Sequence, residues 1–329
     1  MRTVRSRILT AALWSLCPVL LGTGLFVHWK SGTVADELVD PPFYKPQPLS
    51  RVEATYTELA AGNDSDPGGT WTSREVQGLQ LWTLRRKHPA RGHVLLLHGF
   101  GDDRWGTSPA LRWFPEEDVS IFTYRRRDDA MRSGEPVPPV TFGAMEAEEV
   151  VKIVNQLEAE GVDRRRLVLM GRSLGASVGL MALARLEADG GPLAGIVWEG
   201  APLSSRDFAE RLVRGPRDRW WHPGIAPLVG WLASSRAARR GSYAIAATSP
   251  LRAFEGRMLE TPSLAFIATQ DRLAPLHGQR TLARAFRDSR TEEVETWHLN
   301  CSPVMGPRYA EAIREACARW LPARGKASR

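Results

Sequence analysis

Leu167-Val168-Leu169-Met170-Gly171-Arg172-Ser173-Leu174-Gly175-Ala176 is the stretch that decides how this chain folds. Four apolar residues in a row suit a strand buried on both faces, and Leu174–Leu186 has the apolar content of a covered helix. Between them stands Gly-x-Ser-x-Gly. In that context the pattern predicts a sharp strand-to-helix turn that lifts the Ser173 hydroxyl above the end of a sheet. Gly171 and Gly175 let the neighbouring backbones pass without Cβ clashes. The helix opening at Leu174 aims its first N–H groups and its positive dipole end at the hydroxyl. Small residues meet at this spacing by chance, so the strand before and the helix after are what make the motif informative.

Two more strand ends complete a chemical set. Upstream, Val94-Leu95-Leu96-Leu97-His98-Gly99-Phe100-Gly101 reads as a buried strand entering a glycine-flanked loop. An acyl-transfer oxyanion needs two N–H donors, and the amides of Phe100 and Leu174 are the candidates, with Gly99 and Gly101 shaping the loop. His98 reads as a residue that orients this loop rather than as a base. Downstream, Leu264–Ala268 runs into Thr269-Gln270-Asp271-Arg272-Leu273-Ala274-Pro275, and Val294–Trp297 runs into His298. An aspartate just past one strand and a histidine just past the next supply the orienting acid and the base of a triad. The order Ser173, Asp271, His298 differs from that of chymotrypsin-type and subtilisin-type proteases. Competing groups are Glu199 as a substitute acid, His277 at a helix start, and Cys301, which no elbow presents.

Around this set, strand candidates Val52–Leu59, Leu79–Leu84, Val94–Leu97, Val119–Tyr124, Leu167–Met170, Ile196–Glu199, Leu264–Ala268 and Val294–Trp297 alternate with helical stretches. The clearest helices are Met145–Glu160, Leu174–Leu186, Gly278–Phe286 and Arg308–Leu321. Alternation of this kind predicts a mostly parallel eight-stranded sheet flanked by helices on both faces. From Ser204 to Pro262, 262 − 204 + 1 = 59 residues lack a convincing core strand. A structureless loop of that length is improbable in a compact domain, so a helical cap is expected over 204–262, between core parts 51–203 and 263–323. Trp220, Trp221 and Trp231 within it, rimmed by Arg217, Arg219, Arg236, Arg239 and Arg240, suit an acyl-binding lid or a membrane interface.

The 44 basic and 37 acidic residues leave a net charge of +7, nearly all from arginine. The arginines are scattered and accompany no nucleic-acid module, so no nucleic-acid partner is expected. Three cysteines, Cys17, Cys301 and Cys317, make neither a disulfide framework nor a metal site. Ile8–Trp29 carries no acidic or basic charge over 22 residues, which at ~1.5 Å per residue reaches ~33 Å, enough to cross a bilayer core. Residues 1–30 therefore read as an N-terminal membrane anchor, or alternatively a signal peptide whose removal leaves an exported soluble protein. Residues 31–50 read as a linker and 324–329 as a basic tail. Arg2, Arg5 and Arg7 precede the apolar run, so the N-terminus should stay cytoplasmic and the rest lie outside.

From about Val52 to Leu321 the sequence resembles the α/β-hydrolase superfamily. It is closest to membrane-anchored serine hydrolases related to the monoacylglycerol lipase and serine aminopeptidase-like group. Gly-Arg-Ser-Leu-Gly-Ala at 171–176, Ser249-Pro250-Leu251 before the seventh strand, and Asp271 followed by Pro275 carry the resemblance. Two places depart from it: Tyr124-Arg125-Arg126-Arg127-Asp128-Asp129 replaces the usual Asp-x-Arg-Gly-x-Gly loop, and Trp297 replaces the glycine before the histidine. The resemblance implies hydrolysis of a carboxylic ester, lipid ester or thioester through an acyl-enzyme, without cofactor or metal. The substrate would be a small-molecule or lipid ester. An acyltransferase on the same fold and a catalytically silent binding module are the alternatives.

Overall fold

In a computed structural model of the chain, residues 2–41, 69–215 and 222–321 are described, with side chains in the first helix from Val19 onward. Eight strands form one sheet: β1 (Gly69–Val76), β2 (Leu79–Arg86), β3 (His93–Leu97), β4 (Asp118–Ile121), β5 (Leu167–Arg172), β6 (Gly195–Glu199), β7 (Ser263–Ala268) and β8 (Ser289–Val294). Their order is β1-β2-β4-β3-β5-β6-β7-β8. Only β2 runs against its neighbours, pairing antiparallel with β1 and β4, while β3 through β8 are parallel.

The helices are α1 (Arg2–Val39), α2 (Arg127–Ser133), α3 (Glu146–Ala159), α4 (Leu174–Gly190), α5 (Ser205–Arg214), α6 (His222–Gly241), α7 (Pro250–Phe254), α8 (Leu276–Ala283), α9 (Cys301–Met305) and α10 (Pro307–Trp320). Every residue of β3, β6 and β7 is buried, as continuous apolar runs require when both faces are covered. One face packs Leu95, Leu97, Leu169 and Ile196 against α3 and α4. The other packs Val94, Met170, Val197 and Phe266 against Trp113 and the Tyr309–Trp320 side of α10. Helices α5 and α6 stand in the interval between β6 and β7.

Three departures from the sequence reading have physical causes. The expected strand Val52–Leu59 lies outside the described residues. The first described strand is instead β1, whose mixed composition hides its alternation. Its signal is the turn Gln77-Gly78, both residues at positive φ (48° and 83°), which closes a two-residue hairpin onto β2. The last strand falls at Ser289–Val294 rather than Val294–Trp297. At the sheet edge one face meets solvent, so its Arg-Thr-Glu-Glu sequence lacks the apolar run sought.

The third departure concerns the N-terminus. Among the described residues no helix is long and apolar enough to cross a membrane, so the fold gives the expected span over Ile8–Trp29 no support. The linker also begins later than expected, because α1 continues to Val39. Val27, Val34, Ala35 and Leu38 form a buried stripe in the main core cluster. Arg236 Nη2 meets His28 Nδ1 at 2.9 Å, and Arg240 pairs with Asp36, tying α1 to α6. Gly32 lets this approach happen, since a Cβ there would stand 3.3 Å from the Arg236 guanidinium. The end of α1 is fastened by Arg127, whose Nη2 donates to Asp40 Oδ1 (2.8 Å) and Nη1 to the Val39 carbonyl (3.2 Å).

Candidate active site

Strand β5 delivers the serine. Ser173 sits at φ 53°, ψ −123°, a conformation that a side-chain-bearing residue adopts only where its surroundings impose it. Gly175 shows how: a Cβ there would lie 2.2 Å from the Leu97 carbonyl oxygen, so the turn packs directly onto the end of β3. The Ser173 N–H donates to the Glu199 carbonyl (2.8 Å), pinning the turn to β6. The serine is nearly buried, at 4% exposure.

His298, in the turn after β8, faces it. Its Nε2 lies 2.9 Å from Ser173 Oγ and its Nδ1 2.6 Å from Asp271 Oδ2. Asp271, just beyond β7, is held by the N–H groups of Leu273 and Ala274, each 2.8 Å from its other oxygen Oδ1. The three side chains predicted from sequence therefore meet in one hydrogen-bonded chain, with the carboxylate fixed by backbone before it touches the imidazole. Trp297, in place of a glycine, turns its ring to solvent at 60% exposure and leaves His298 undisturbed.

The β3 loop crosses beside the serine, with the Cβ position of Gly99 3.7 Å from Ser173 Cβ. His98 anchors this loop. Its Nδ1 bonds the Gly99 carbonyl (2.9 Å) and its Nε2 accepts the Tyr124 N–H (3.2 Å), so both nitrogens are committed. Burial, helped by Arg127 and Arg104 against the pull of the Gly99 carbonyl, lowers its pKa to about 3 and keeps it neutral. Phe100 turns its ring onto Phe142 and onto Phe208 of α5, at 5.4 and 5.2 Å between centroids. Phe208 thus brings the segment between β6 and β7 to the site. Trp220 and Trp221 lie outside the described residues, and Trp231 faces solvent at 47% exposure, away from the triad's hydrogen-bonded chain.

The competing groups fall elsewhere. His277 is exposed at the start of α8. Cys301 is buried, and desolvation with the nearby Glu199 charge pushes its thiol far above the ordinary range, so it offers no thiolate. Glu199 does not touch His298; it binds Arg172, Tyr309 and the Cys301 N–H. Among the described residues no group of three or more His, Cys, Asp or Glu is placed to hold a metal ion.

Sequence reasoning passed over three contributors. Gly200, at φ +66°, lies so close that a Cβ would stand 3.0 Å from His298 Cε1. Asp102 and Arg172 line a small pocket beside Gly99, Trp113 and Leu299. Burial raises the Asp102 carboxyl to about 6 against the Asp103 N–H bonded to it and the Arg172 charge, with the Asp103 charge adding to the rise. The signal for Gly200 was its place directly after β6, level with the elbow; nothing in the sequence marked Asp102.

Comparison with known proteins agrees with this fold. An esterase of Pyrococcus furiosus superposes with a TM-score of 0.57 at 15% identity, covering 77% of this chain and 92% of that one. An alpha-beta hydrolase of Vibrio vulnificus gives 0.59 at 14% identity, covering 86% and 92%. An esterase/lipase from an uncultured bacterium gives 0.53 at 17% identity, covering 89% and 97%. No curated relative matches the sequence. At such identities these structures speak for the fold alone, but the sequence model of the alpha/beta hydrolase family matches residues 94–325, from β3 past the end of α10. The chain belongs to the alpha/beta hydrolase family.

Proposed function

We propose that the protein is a serine hydrolase that cleaves carboxylic esters through an acyl-enzyme. The observation that carries this reading is the unbroken chain Asp271–His298–Ser173, with links of 2.6 and 2.9 Å at the nucleophile elbow. His298 Nε2 takes the Ser173 proton as Oγ attacks the ester carbonyl carbon, and returns it to the departing alkoxide oxygen. Asp271 holds the Nδ1–H tautomer and stabilises the imidazolium. The Leu174 amide, first of its helix, and the Phe100 amide receive the oxyanion. Water activated by the same histidine then releases the acid, so the cycle needs no cofactor.

The aromatic trio Phe100, Phe142 and Phe208 supports an apolar acyl or alcohol group, with lipid esters in the range of substrates. Association with a lipid surface through α1, with the catalytic domain outside, belongs to the same proposal. It is supported by exposed Val19, Leu20, Leu21, Leu25 and Trp29 on that helix. The test is a chain-length series of p-nitrophenyl esters on the full chain. Hydrolysis should fall by several orders of magnitude in Ser173→Ala and His298→Ala without loss of fold. Near-native turnover by purified Ser173→Ala would refute the reading.

A further inference from the structure

Arg172 and Glu199 form an ion pair that the triad chemistry leaves unused. Arg172 stands between Gly171 and the nucleophile, on the last residue of β5, and its fork is split. Nε donates to Glu199 Oε2 (2.9 Å), while Nη2 reaches the Leu299 carbonyl (2.7 Å), the residue directly after His298. Glu199 ends β6 with its side chain 1% exposed. Its Oε1 accepts the Cys301 N–H (3.0 Å) and its Oε2 also accepts Tyr309 Oη (3.0 Å). One guanidinium and one carboxylate therefore grip residues 299 and 301 from below, one residue away from Ser173 on the other side.

That turn needs holding. Leu299 lies at φ +57°, in the left-handed region that a leucine avoids. The turn's own backbone bond is local, Asn300 N–H to the Trp297 carbonyl at 3.2 Å. The last backbone bond from the β7 side, Gln270 N–H to the Thr296 carbonyl at 3.0 Å, falls two residues before His298. A buried ion pair is weak evidence of stabilisation, because desolvating both charges offsets most of their attraction. The geometry of this one points to placement instead. Apart from Tyr309 and the Trp113 ring, over which the guanidinium lies at 6.0 Å, each group the pair binds belongs to the turn after the histidine.

We propose that Arg172 and Glu199 are positioning residues that clamp the 299–301 turn and so keep His298 Nε2 at bonding distance from Ser173 Oγ. The proposal rests on the serine-hydrolase reading above. Lysine keeps the charge at position 172 but cannot bind Glu199 and the Leu299 carbonyl together, since it lacks the planar fork. Loss of either arm lets the imidazole drift, and a misplacement approaching 1 Å costs roughly 100-fold in rate.

The test measures kcat and KM for p-nitrophenyl butyrate, and the rate of fluorophosphonate labelling, in Arg172→Lys, Glu199→Gln and the double variant. Ser173→Ala runs beside them, and melting curves establish that each protein is folded. In Arg172→Lys we expect kcat and labelling rate to fall roughly 10- to 100-fold, with KM within about twofold. The double variant should be no slower than the slower single, because both act through one clamp. A folded Arg172→Lys enzyme with native kcat overturns the proposal. So does a loss confined to KM, or losses that multiply in the double variant. If Glu199→Gln does not fold, the partly exposed Arg172 site still decides by its KM-against-kcat split. Undiminished hydrolysis by Ser173→Ala would instead refute the hydrolase reading itself, so the two failures are distinguishable.

Discussion

Gly200→Ala should slow acylation by steric pressure on the catalytic base alone. The added methyl would stand 3.0 Å from His298 Cε1 and 3.1 Å from Nδ1, and 3.4 Å from Asp271 Oδ2. Ordinary contact begins near 3.4 Å, so the imidazole must retreat by 3.4 − 3.0 = 0.4 Å. If 1 Å of misplacement costs about 100-fold, 0.4 Å costs roughly five- to tenfold in kcat. Alanine at φ +66° adds backbone strain of about 1–2 kcal/mol, worth roughly 2–8 °C in Tm. Strain and steric pressure can be separated. Gly256 has a similar φ of +73° with nothing within 4 Å of its would-be Cβ, so Gly256→Ala should lose stability but keep kcat. The assay is pre-steady-state release of p-nitrophenol from a short-chain ester, with melting curves for both variants. A folded Gly200→Ala enzyme that acylates at the native rate would refute the reasoning, as would equal slowing in Gly256→Ala.

Three further outcomes follow from the fold. Burial lowers the His93 pKa to about 4 against 6.5 when unfolded, with Asp118 opposing the shift and Arg85 and Arg74 adding to it. The folded state thus favours neutral His93, and this stability is present above pH 6.5 and lost as pH falls toward 4. Comparing the native chain with His93→Gln by urea unfolding isolates it from Glu117 and Glu149. Those two carboxyls, raised by burial to about 7, act in the opposite sense. The native advantage should shrink by roughly 3 kcal/mol between pH 6.5 and 4, and a flat difference would contradict it. Deleting residues 1–40 removes buried Val27, Val34 and Leu38, at about 1.5–3 kcal/mol each, an upper estimate comparable with a whole domain's stability. That truncation should not yield folded, active enzyme, whereas deleting 1–18 should. In liposome flotation, serines at Val19, Leu20, Leu21 and Leu25 should weaken binding of the full chain; unchanged flotation would remove α1 from the lipid contact.

What could be read from sequence was whatever depends on short-range pattern. Buried parallel strands announce themselves as apolar runs, so β3, β5, β6 and β7 were placed within a residue or two, and with them Ser173 after β5 and Asp271 after β7; His298 follows the polar edge strand β8. Edge strands answer to solvent on one side, which is why the polar β8 was displaced by several residues and β1 went unseen. Groups that act across the fold were also hidden. Glu199 read as a competitor to Asp271 for the acid because its position after β6 is right for one. Its carboxylate is in fact taken by Arg172, Tyr309 and the Cys301 N–H, contacts up to 110 residues apart in the chain. The packing of Val34, Ala35 and Leu38 was hidden likewise, since residues 31–50 read as a linker until Arg236 is seen against Gly32.

The most direct measurement is to react the purified full-length protein with a fluorophosphonate and locate the adduct by intact-mass and peptide mass spectrometry. The triad predicts a single adduct on Ser173, absent from Ser173→Ala and formed far more slowly in His298→Ala. A folded protein that takes up no reagent, or one labelled elsewhere, for example on Ser177, would contradict the assignment of Ser173 as nucleophile.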